Sequence, residues 1–316
     1  MKGVKLIAGN SNRKLAEDVA KLLHIKLVNA DIGRFPNGEV RVSIRESVRK
    51  QDIFIIQSTC PPVNDNLMEL LIMVDALKRA SCGFITAIMP YFGYSKQDKK
   101  KTGREPISSK LVARMLETLG VRRVVTFDLH AAQIEGFFDI PVENLTALNM
   151  IADYFRKKGI KNSVVVSPDA GGVKRARDLA NAMKANRIAI IDKYREDFTR
   201  ATAMNVVGKV DGMNAVIIDD FIDTGSSIVE AVQAVKNHKA EKIWVACTHP
   251  LFTNPATSRL KSLKDIEEII VTDTIPLPKE KRFGKVKVLS TAQIISDVIK
   301  RLAAGKSLYV HRANSH

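Results

Sequence analysis

The chain has 316 residues, 45% of them hydrophobic, and its 50 lysines and arginines against 34 acidic residues give a formal net charge of +16. That apolar share excludes a disordered chain, no apolar run reaches the roughly 18 residues of a membrane-spanning helix, and the spacing of Cys60, Cys82 and Cys247 excludes a C-x-x-C pair. The charge attracts anions, which leaves nucleic acid, nucleotides and sugar phosphates open beside a merely solvated basic surface.

The length suits two domains of about 150 residues each. The apolar part of residues 1–9 is too short for a signal peptide, so a cytoplasmic protein is expected. Residues 4–8, 53–57, 84–89, 123–127, 163–167, 187–191, 215–219, 242–247 and 268–272 read as strands. Helical patterns lie between them, the clearest carrying Leu67, Leu70, Leu71, Val74 and Leu77 on one face. This alternation predicts an α/β fold with mainly parallel sheets flanked by helices, and ligands beyond the carboxyl ends of the strands.

In chain order, residues 34–39 (Arg-Phe-Pro-Asn-Gly-Glu) form a turn with an exposed aromatic, Phe35. After the strand at 84–89, residues 90–101 join Tyr91, Phe92 and Tyr94 to Lys96, Gln97 and Lys99. That mixture suits a nucleotide or single-stranded nucleic acid. After 123–127 come Asp128 and His130, a pairing that suits a divalent ion or a phosphate; magnesium itself prefers oxygen ligands and keeps its waters. A domain boundary is expected near 144–149.

Past 163–167, Asp169 and the pair Gly171-Gly172 sit at a strand-to-helix turn, followed by Lys174, Arg175 and Arg177. Cys82 and Cys247, in or beside apolar segments, are expected to be core thiols. Lys193 and Arg195 alternate as the strand at 187–191 gives way to a polar loop, a pattern that lets two cations close over a phosphate chain.

Residues 216–227 (Val-Ile-Ile-Asp-Asp-Phe-Ile-Asp-Thr-Gly-Ser-Ser) read as a buried strand, carboxylates at its end, and a hydroxyl-rich turn opening a helix at 228–236. Such a turn holds a phosphate, while carboxylates beside it suit sugar hydroxyls or a metal; a phosphorylated sugar is the first hypothesis. In the last helix, Ser290 and Gln293 read as a capping box and Gly305 as the stop. Neither G-x-x-x-x-G-K-[ST] nor G-x-G-x-x-G is present, so any nucleotide is bound by another architecture.

Residues 216–227 resemble the phosphoribosyl-binding motif of the type I phosphoribosyltransferase fold. Together with 9–11, 35–39, 68–73, 90–100, 128–130, 167–172 and 205–208, the chain resembles the ribose-phosphate pyrophosphokinases over nearly its whole length. The resemblance implies two phosphoribosyltransferase-like domains, 1–147 and 148–289, with a helix at 290–305 packing back on the first. It implies transfer of the diphosphoryl group of ATP to the anomeric hydroxyl of ribose 5-phosphate with Mg²⁺, releasing AMP. Lys193 and Arg195 match its catalytic cations, Arg195 also contacting ribose 5-phosphate. Asp219, Asp220, Asp223, Thr224, Gly225, Ser226 and Ser227 match the ribose 5-phosphate site. Phe35, Asn37, Gly38, Glu39, Lys96, Gln97 and His130 match ATP-binding positions, and His130 and Asp169 match those of the metal. Phe35, Asn37 and Glu39 belong to a loop that in the family reaches the adenine of a neighbouring subunit, which implies self-association, commonly as a homohexamer; no nucleic-acid partner is implied. Four positions depart from the family pattern: Lys96 replaces an arginine, Ser226 and Ser227 replace a glycine and a threonine, and Pro250 replaces a small residue. Asp220 is the candidate to assist the attacking hydroxyl.

Overall fold

The computed structural model describes residues 3–185, 187–194 and 203–308. The chain opens with β1 (Val4–Ala8), α1 (Arg13–Leu23), β2 (Ala30–Arg34), β3 (Val40–Ile44) and β4 (Asp52–Ile56). It continues through α2 (Val63–Arg79), β5 (Ile85–Met89), α3 (Ser108–Leu119), β6 (Arg123–Phe127) and β7 (Val142–Leu145). Then follow α4 (Leu148–Lys158), β8 (Ser163–Ser167), α5 (Val173–Met183), β9 (Ile188–Tyr194) and β10 (Ala203–Val207). The last elements are β11 (Asn214–Ile222), α6 (Ser226–Asn237), β12 (Lys242–Pro250), α7 (Ala256–Ser262), β13 (Ile266–Thr272), β14 (Val286–Leu289) and α8 (Ala292–Ala303).

Two units divide these elements: residues 1–146 with 274–276 and 290–316, and residues 147–273 with 277–289. In the first, five parallel strands run β1-β4-β5-β6-β7, and β2 and β3 form a separate antiparallel hairpin. Helix α2 buries Leu67, Leu70, Leu71, Val74 and Leu77, the stripe read from the sequence, on a core that includes Ile53, Ile55, Ala87 and Met89. Helix α8 packs on α1. In the second unit the order is β10-β9-β8-β11-β12-β13-β14, parallel except for the β9–β10 pair. Its core joins Val164, Val166, Ala215, Ile217, Val245 and Ile269 from the sheet to Ile228, Val232 and Val235 of α6. The α/β class with mainly parallel sheets is as expected, because runs of buried β-branched residues separated by amphipathic helices have no other compact arrangement.

The nine expected strands are all present, but four extend beyond their apolar runs. β9 continues through Lys193 and Tyr194, so Lys193 stands in a strand paired with Met204 and not in a loop. β11 continues to Ile222 and β12 to Pro250, with Phe221 opposite His249 and Ile222 opposite Pro250. β13 starts two residues early, at Ile266. Strand pairing is a backbone property, so polar side chains at a strand end do not terminate it. Pro250, which had no account from the sequence, ends β12 where the sheet needs no further donor from it. Strands β2, β3, β7, β10 and β14 were not expected; each has only four or five residues.

The expected capping box of α8 is not formed. Thr291, not Ser290, precedes the first helical residue and makes no side-chain cap, while the Ser290 hydroxyl accepts the Ala292 N–H at 3.3 Å. Gly305 does close the helix, in the left-handed region at φ +64° with the Lys306 N–H on the Arg301 carbonyl. Cys247 is buried as expected, but Cys82 is only half-buried, since it lies on the turn after α2. All three cysteines are free thiols. Among the described residues no helix is long and apolar enough to cross a membrane.

Candidate active site

In the second unit the chain leaves β8 towards β9 on one side and returns as β11 on the other. The strand order therefore reverses between β8 and β11. At such a reversal the two outgoing connections diverge and leave a crevice beyond the carboxyl ends of the strands. In the first unit the parallel strands follow one another in a single direction and have no such reversal. The sequence elements 167–172 and 219–227 are the connections that leave β8 and β11.

The first connection is tightly tied. Asp169 Oδ1 accepts the Gly172 N–H at 2.9 Å, and Ser167 Oγ donates to the Asp169 carbonyl at 2.6 Å. A Cβ on Gly172 would lie 2.6 Å from Ser167 Oγ, so any side chain there would displace the hydroxyl that donates to Asp169. Asp169 itself is exposed. Helix α5 starts at the next residue, and Arg175 in its first turn reaches across to β11: Nη1 lies 3.3 Å from Asp219 Oδ1 and Nη2 3.3 Å from Asp220 Oδ2.

The second connection begins later than the sequence suggested, because Asp219 and Asp220 are still in β11. Asp220 is 3% exposed. Burial pushes the Asp219 carboxyl well above the usual carboxylate range; the neighbouring Asp220 charge adds to this and Arg175 opposes it. Cys247, opposite Asp219 in the adjacent strand, has its thiol pushed well up, first by burial and then by Asp219. The turn itself is Asp223-Thr224-Gly225. Asp223 accepts a short hydrogen bond from Thr253 Oγ1, and Arg259 Nη1 donates to the Thr224 carbonyl at 3.1 Å. Gly225 takes φ +78°, which a glycine adopts without a steric penalty. Ser226 is already helical, so the departure from glycine at that position strains nothing. Ser226 and Ser227 are exposed in the first turn of α6, whose leading N–H groups have no intrahelical acceptor. Thr224 Oγ1 and Ser226 Oγ lie 3.2 Å apart. A phosphate at this turn would meet two or three hydroxyls, backbone donors and the positive end of a helix.

Lys193 is the sixth residue of β9, and Arg195 lies outside the described residues.

In the first unit, the 90–98 stretch is fixed by a close backbone approach. The Gly93 N–H donates to Thr59 Oγ1 at 2.6 Å, and a Cβ on Gly93 would sit 2.5 Å from the Thr59 carbonyl oxygen. Gln97 is held by Ser108 Oγ at 2.5 Å and through its carbonyl by Ser109 Oγ at 3.0 Å, while Lys96 is exposed. Asp98 accepts from Gln133 Nε2 at 2.5 Å, which ties this stretch to the turn just past His130. His130 is exposed beyond the carboxyl end of β6, and Asp128 before it takes φ +37°. Tyr91 and Phe92, read as ligand-facing aromatics, are buried, so they pack the stretch in place. Gly93→Ala is expected to displace residues 94–97 and to destabilise this unit by about 1–3 kcal/mol, since the atom in the way is a backbone carbonyl. Chemical denaturation checks this; an unchanged midpoint would show that the loop relaxes around a methyl group.

The hairpin tip, residues 34–39, is exposed throughout, with Phe35 46% exposed. Phe35 N–H donates to the Glu39 carbonyl at 2.8 Å, Asn37 Oδ1 accepts the Glu39 N–H at 3.2 Å, and Gly38 takes φ +90°. Arg34 also pairs with Asp65 of α2 at 3.2 Å. The tip is thus a hydrogen-bonded turn that leaves nearly half of the Phe35 surface exposed.

Sequence reasoning named Arg175 without a role, and it missed Thr253 and Arg259 altogether. Nothing in their local pattern signals a partner 30 or more residues away in the chain.

Residues 4–120 match the model of the N-terminal domain of ribose phosphate pyrophosphokinase, and residues 197–312 match that of a phosphoribosyl synthetase-associated domain. A ribose-phosphate pyrophosphokinase of Bacillus caldolyticus is 50% identical, covering 97% of each chain. That of Corynebacterium ammoniagenes is 48% identical over 97% of this chain and 96% of its own. The crystal structure of phosphoribosylpyrophosphate synthetase from Mycobacterium smegmatis superposes with a TM-score of 0.91 at 40% identity, covering 96% of this chain and all of that one.

Proposed function

The chain belongs to the ribose-phosphate pyrophosphokinase family, and from that premise we propose how its own residues divide the work. The enzyme transfers the diphosphoryl group of ATP to the anomeric hydroxyl of ribose 5-phosphate, giving 5-phosphoribosyl 1-diphosphate and AMP for nucleotide biosynthesis. The sugar oxygen attacks the β-phosphorus, the bond from that phosphorus to the oxygen of the α-phosphate breaks, and the hydroxyl proton passes to solvent. No covalent enzyme intermediate is needed, so catalysis rests on positioning and on neutralising charge.

The acceptor is assigned to the turn after β11. Thr224, Gly225, Ser226 and Ser227 hold the 5-phosphate, and Asp219, Asp220 and Asp223 hold or orient the sugar. The observation that carries this reading is the placement of a hydroxyl-rich helix start and three carboxylates at the strand reversal. Asp220 is no longer a candidate base, since it is buried and ion-paired to Arg175. Lys193 and Arg195 are assigned to the charge developing on the transferred phosphates, Arg195 also to the sugar phosphate. Lys96, Gln97 and His130 are assigned to ATP, with Phe35, Asn37, Gly38 and Glu39 on the adenine of a neighbouring subunit in a homohexamer; the exposed Phe35 ring supports this.

Asp169 and His130 are the residues assigned to Mg²⁺. A magnesium ion carried on triphosphate oxygens needs only one or two protein ligands, and an exposed carboxylate such as Asp169 meets that need. When bound, the ion screens the phosphate charge so that an oxygen nucleophile can approach. A cytoplasmic location belongs to the same proposal, because ATP is the donor.

The test is incubation of the protein, its mass read by light scattering, with ATP and ribose 5-phosphate in the presence or absence of Mg²⁺. AMP and 5-phosphoribosyl 1-diphosphate are expected in equal amounts, only with the metal. Folded, oligomeric protein that forms no AMP overturns the reading, and an active monomer removes the shared adenine contact.

A further inference from the structure

We propose that Arg175 is a positioning residue of the acceptor site, holding Asp219 and Asp220 as one oriented pair for the sugar hydroxyls. The inference rests on the assignment of residues 219–227 to ribose 5-phosphate.

Consecutive strand residues send their Cβ atoms to opposite faces of a sheet. Here one guanidinium nevertheless lies 3.3 Å from a carboxylate oxygen of each. The fork of an arginine allows this, and a single ammonium does not. All three side chains are largely removed from water: Arg175 and Asp219 are each 18% exposed and Asp220 is 4% exposed. Two neighbouring carboxylates in such a place repel each other, and each needs donors to stay ionised. Besides Arg175, Asp219 Oδ1 accepts the Asp220 N–H at 2.9 Å and Asp220 Oδ1 accepts the Phe221 N–H at 2.9 Å. These bonds and the guanidinium fix both carboxyl planes before any sugar arrives.

The position of Arg175 is itself set by the β8 connection. Gly172, the residue just before α5, has its N–H held by Asp169, and a Cβ on it would lie 3.6 Å from Arg175 Nη1. One helix start therefore carries both the loop of Asp169 and the cation that orders the β11 carboxylates. Among the described residues, the groups facing Asp219 are Asp220 on its own strand, Arg175 from α5 and the Cys247 thiol from β12, and Arg175 is the cation of that set. Burial and the Asp220 charge push the Asp219 carboxyl up and Arg175 pulls it down. Removing Arg175 makes the pair retain a proton to higher pH, so ribose 5-phosphate binding is lost on the acid side over a wider range.

The experiment compares Arg175→Gln, Arg175→Lys, Asp219→Asn and Asp220→Asn in the full chain by steady-state kinetics across pH, with Tm alongside. Arg175→Gln is expected to raise the KM for ribose 5-phosphate by roughly tenfold or more, as truncating one partner of a buried charge pair does. The rise is larger at acid than at alkaline pH, and the KM for ATP moves by less than about threefold. Arg175→Lys is expected to fall between this and the unaltered chain, and it decides the matter if the glutamine variant does not fold. Equality of Arg175→Lys with the unaltered chain overturns the proposal. So does a rise in both KM values together with a fall in Tm, which marks a merely structural side chain. If Asp219→Asn and Asp220→Asn leave the KM for ribose 5-phosphate unchanged, the acceptor-site assignment fails and the inference with it. If they raise it and Arg175→Gln does not, only the inference fails.

Discussion

Lys193→Ala is expected to lower kcat by roughly 10²–10³-fold, the loss measured when one preorganised charge-stabilising donor is removed from a transition state. The reason lies in the reaction: an oxygen nucleophile displaces AMP at a phosphorus carrying dense negative charge, and the protein can help only by placing and neutralising groups. Lys193 stands near the carboxyl end of β9, paired with Met204, and β9 is the neighbour of β8, whose outgoing loop carries Asp169. An interaction made chiefly in the transition state lowers kcat and kcat/KM together and spares ground-state binding. Ribose 5-phosphate affinity, read by calorimetry on the same variant, should therefore stay within about threefold. Unchanged turnover would remove Lys193 from the catalytic assignment.

Gly9→Ala is expected to destabilise the first unit by about 3 kcal/mol, combining overpacking with the loss of buried hydrogen bonds. A Cβ at Gly9 would lie 2.1 Å from Gln57 Oε1 and 3.1 Å from Glu69 Oε1. Gln57 has no room to give. Fully buried, it accepts from Ser11 N–H at 3.1 Å and Ser11 Oγ at 2.7 Å, and it donates to Glu69 Oε1 at 2.9 Å and the Asn66 carbonyl at 3.1 Å. Glu69, 5% exposed, in turn accepts from the Asn10 backbone N–H at 2.7 Å and from Asn10 Nδ2 at 2.8 Å. Asn10 Nδ2 also reaches the Ile32 carbonyl, at the base of the hairpin that carries Phe35. Chemical denaturation with a probe in this unit reads the loss. A variant as stable as the unaltered chain would show that the network relaxes around a methyl group. Asn10, Ser11 and Glu69, from the 9–11 and 68–73 segments that carry part of the family resemblance, thus form one hydrogen-bonded support around the buried Gln57, with no contact to substrate required of it.

Much of the candidate site was legible because it sits where sequence pattern changes. Residues 219–227 announce themselves as apolar strand, acidic end and small hydroxyl turn, and the structure keeps that order with the turn moved to 223–225. The strand ends were misjudged because apolar periodicity reports which face is buried, whereas pairing with the next strand carries Asp219, Asp220 and Phe221 onward. The hairpin strands were missed for a related reason. The alternation in 40–44 is carried by half-buried side chains, and only the turn between the strands, with Gly38 at φ +90°, had a strong local signal. Tyr91 and Phe92 were read as facing a ligand because aromatics beside lysines look alike whether they stack on a base or fill a core; burial decides between the two.

By itself the sequence determined the α/β class, the hydroxyl-rich turn after the acidic strand end, the Asp169 turn and the absence of the usual nucleotide loops, since each depends on neighbours in the chain and on local periodicity. Only the tertiary structure decided the strand reversal between β8 and β11, the bridge from Arg175 to Asp219 and Asp220, and the Gln57–Glu69 support under Gly9. These join segments 12 to 45 or more residues apart, and no local pattern encodes which distant partner a side chain will meet. Packing chooses the partner, because a buried charge or amide must find one.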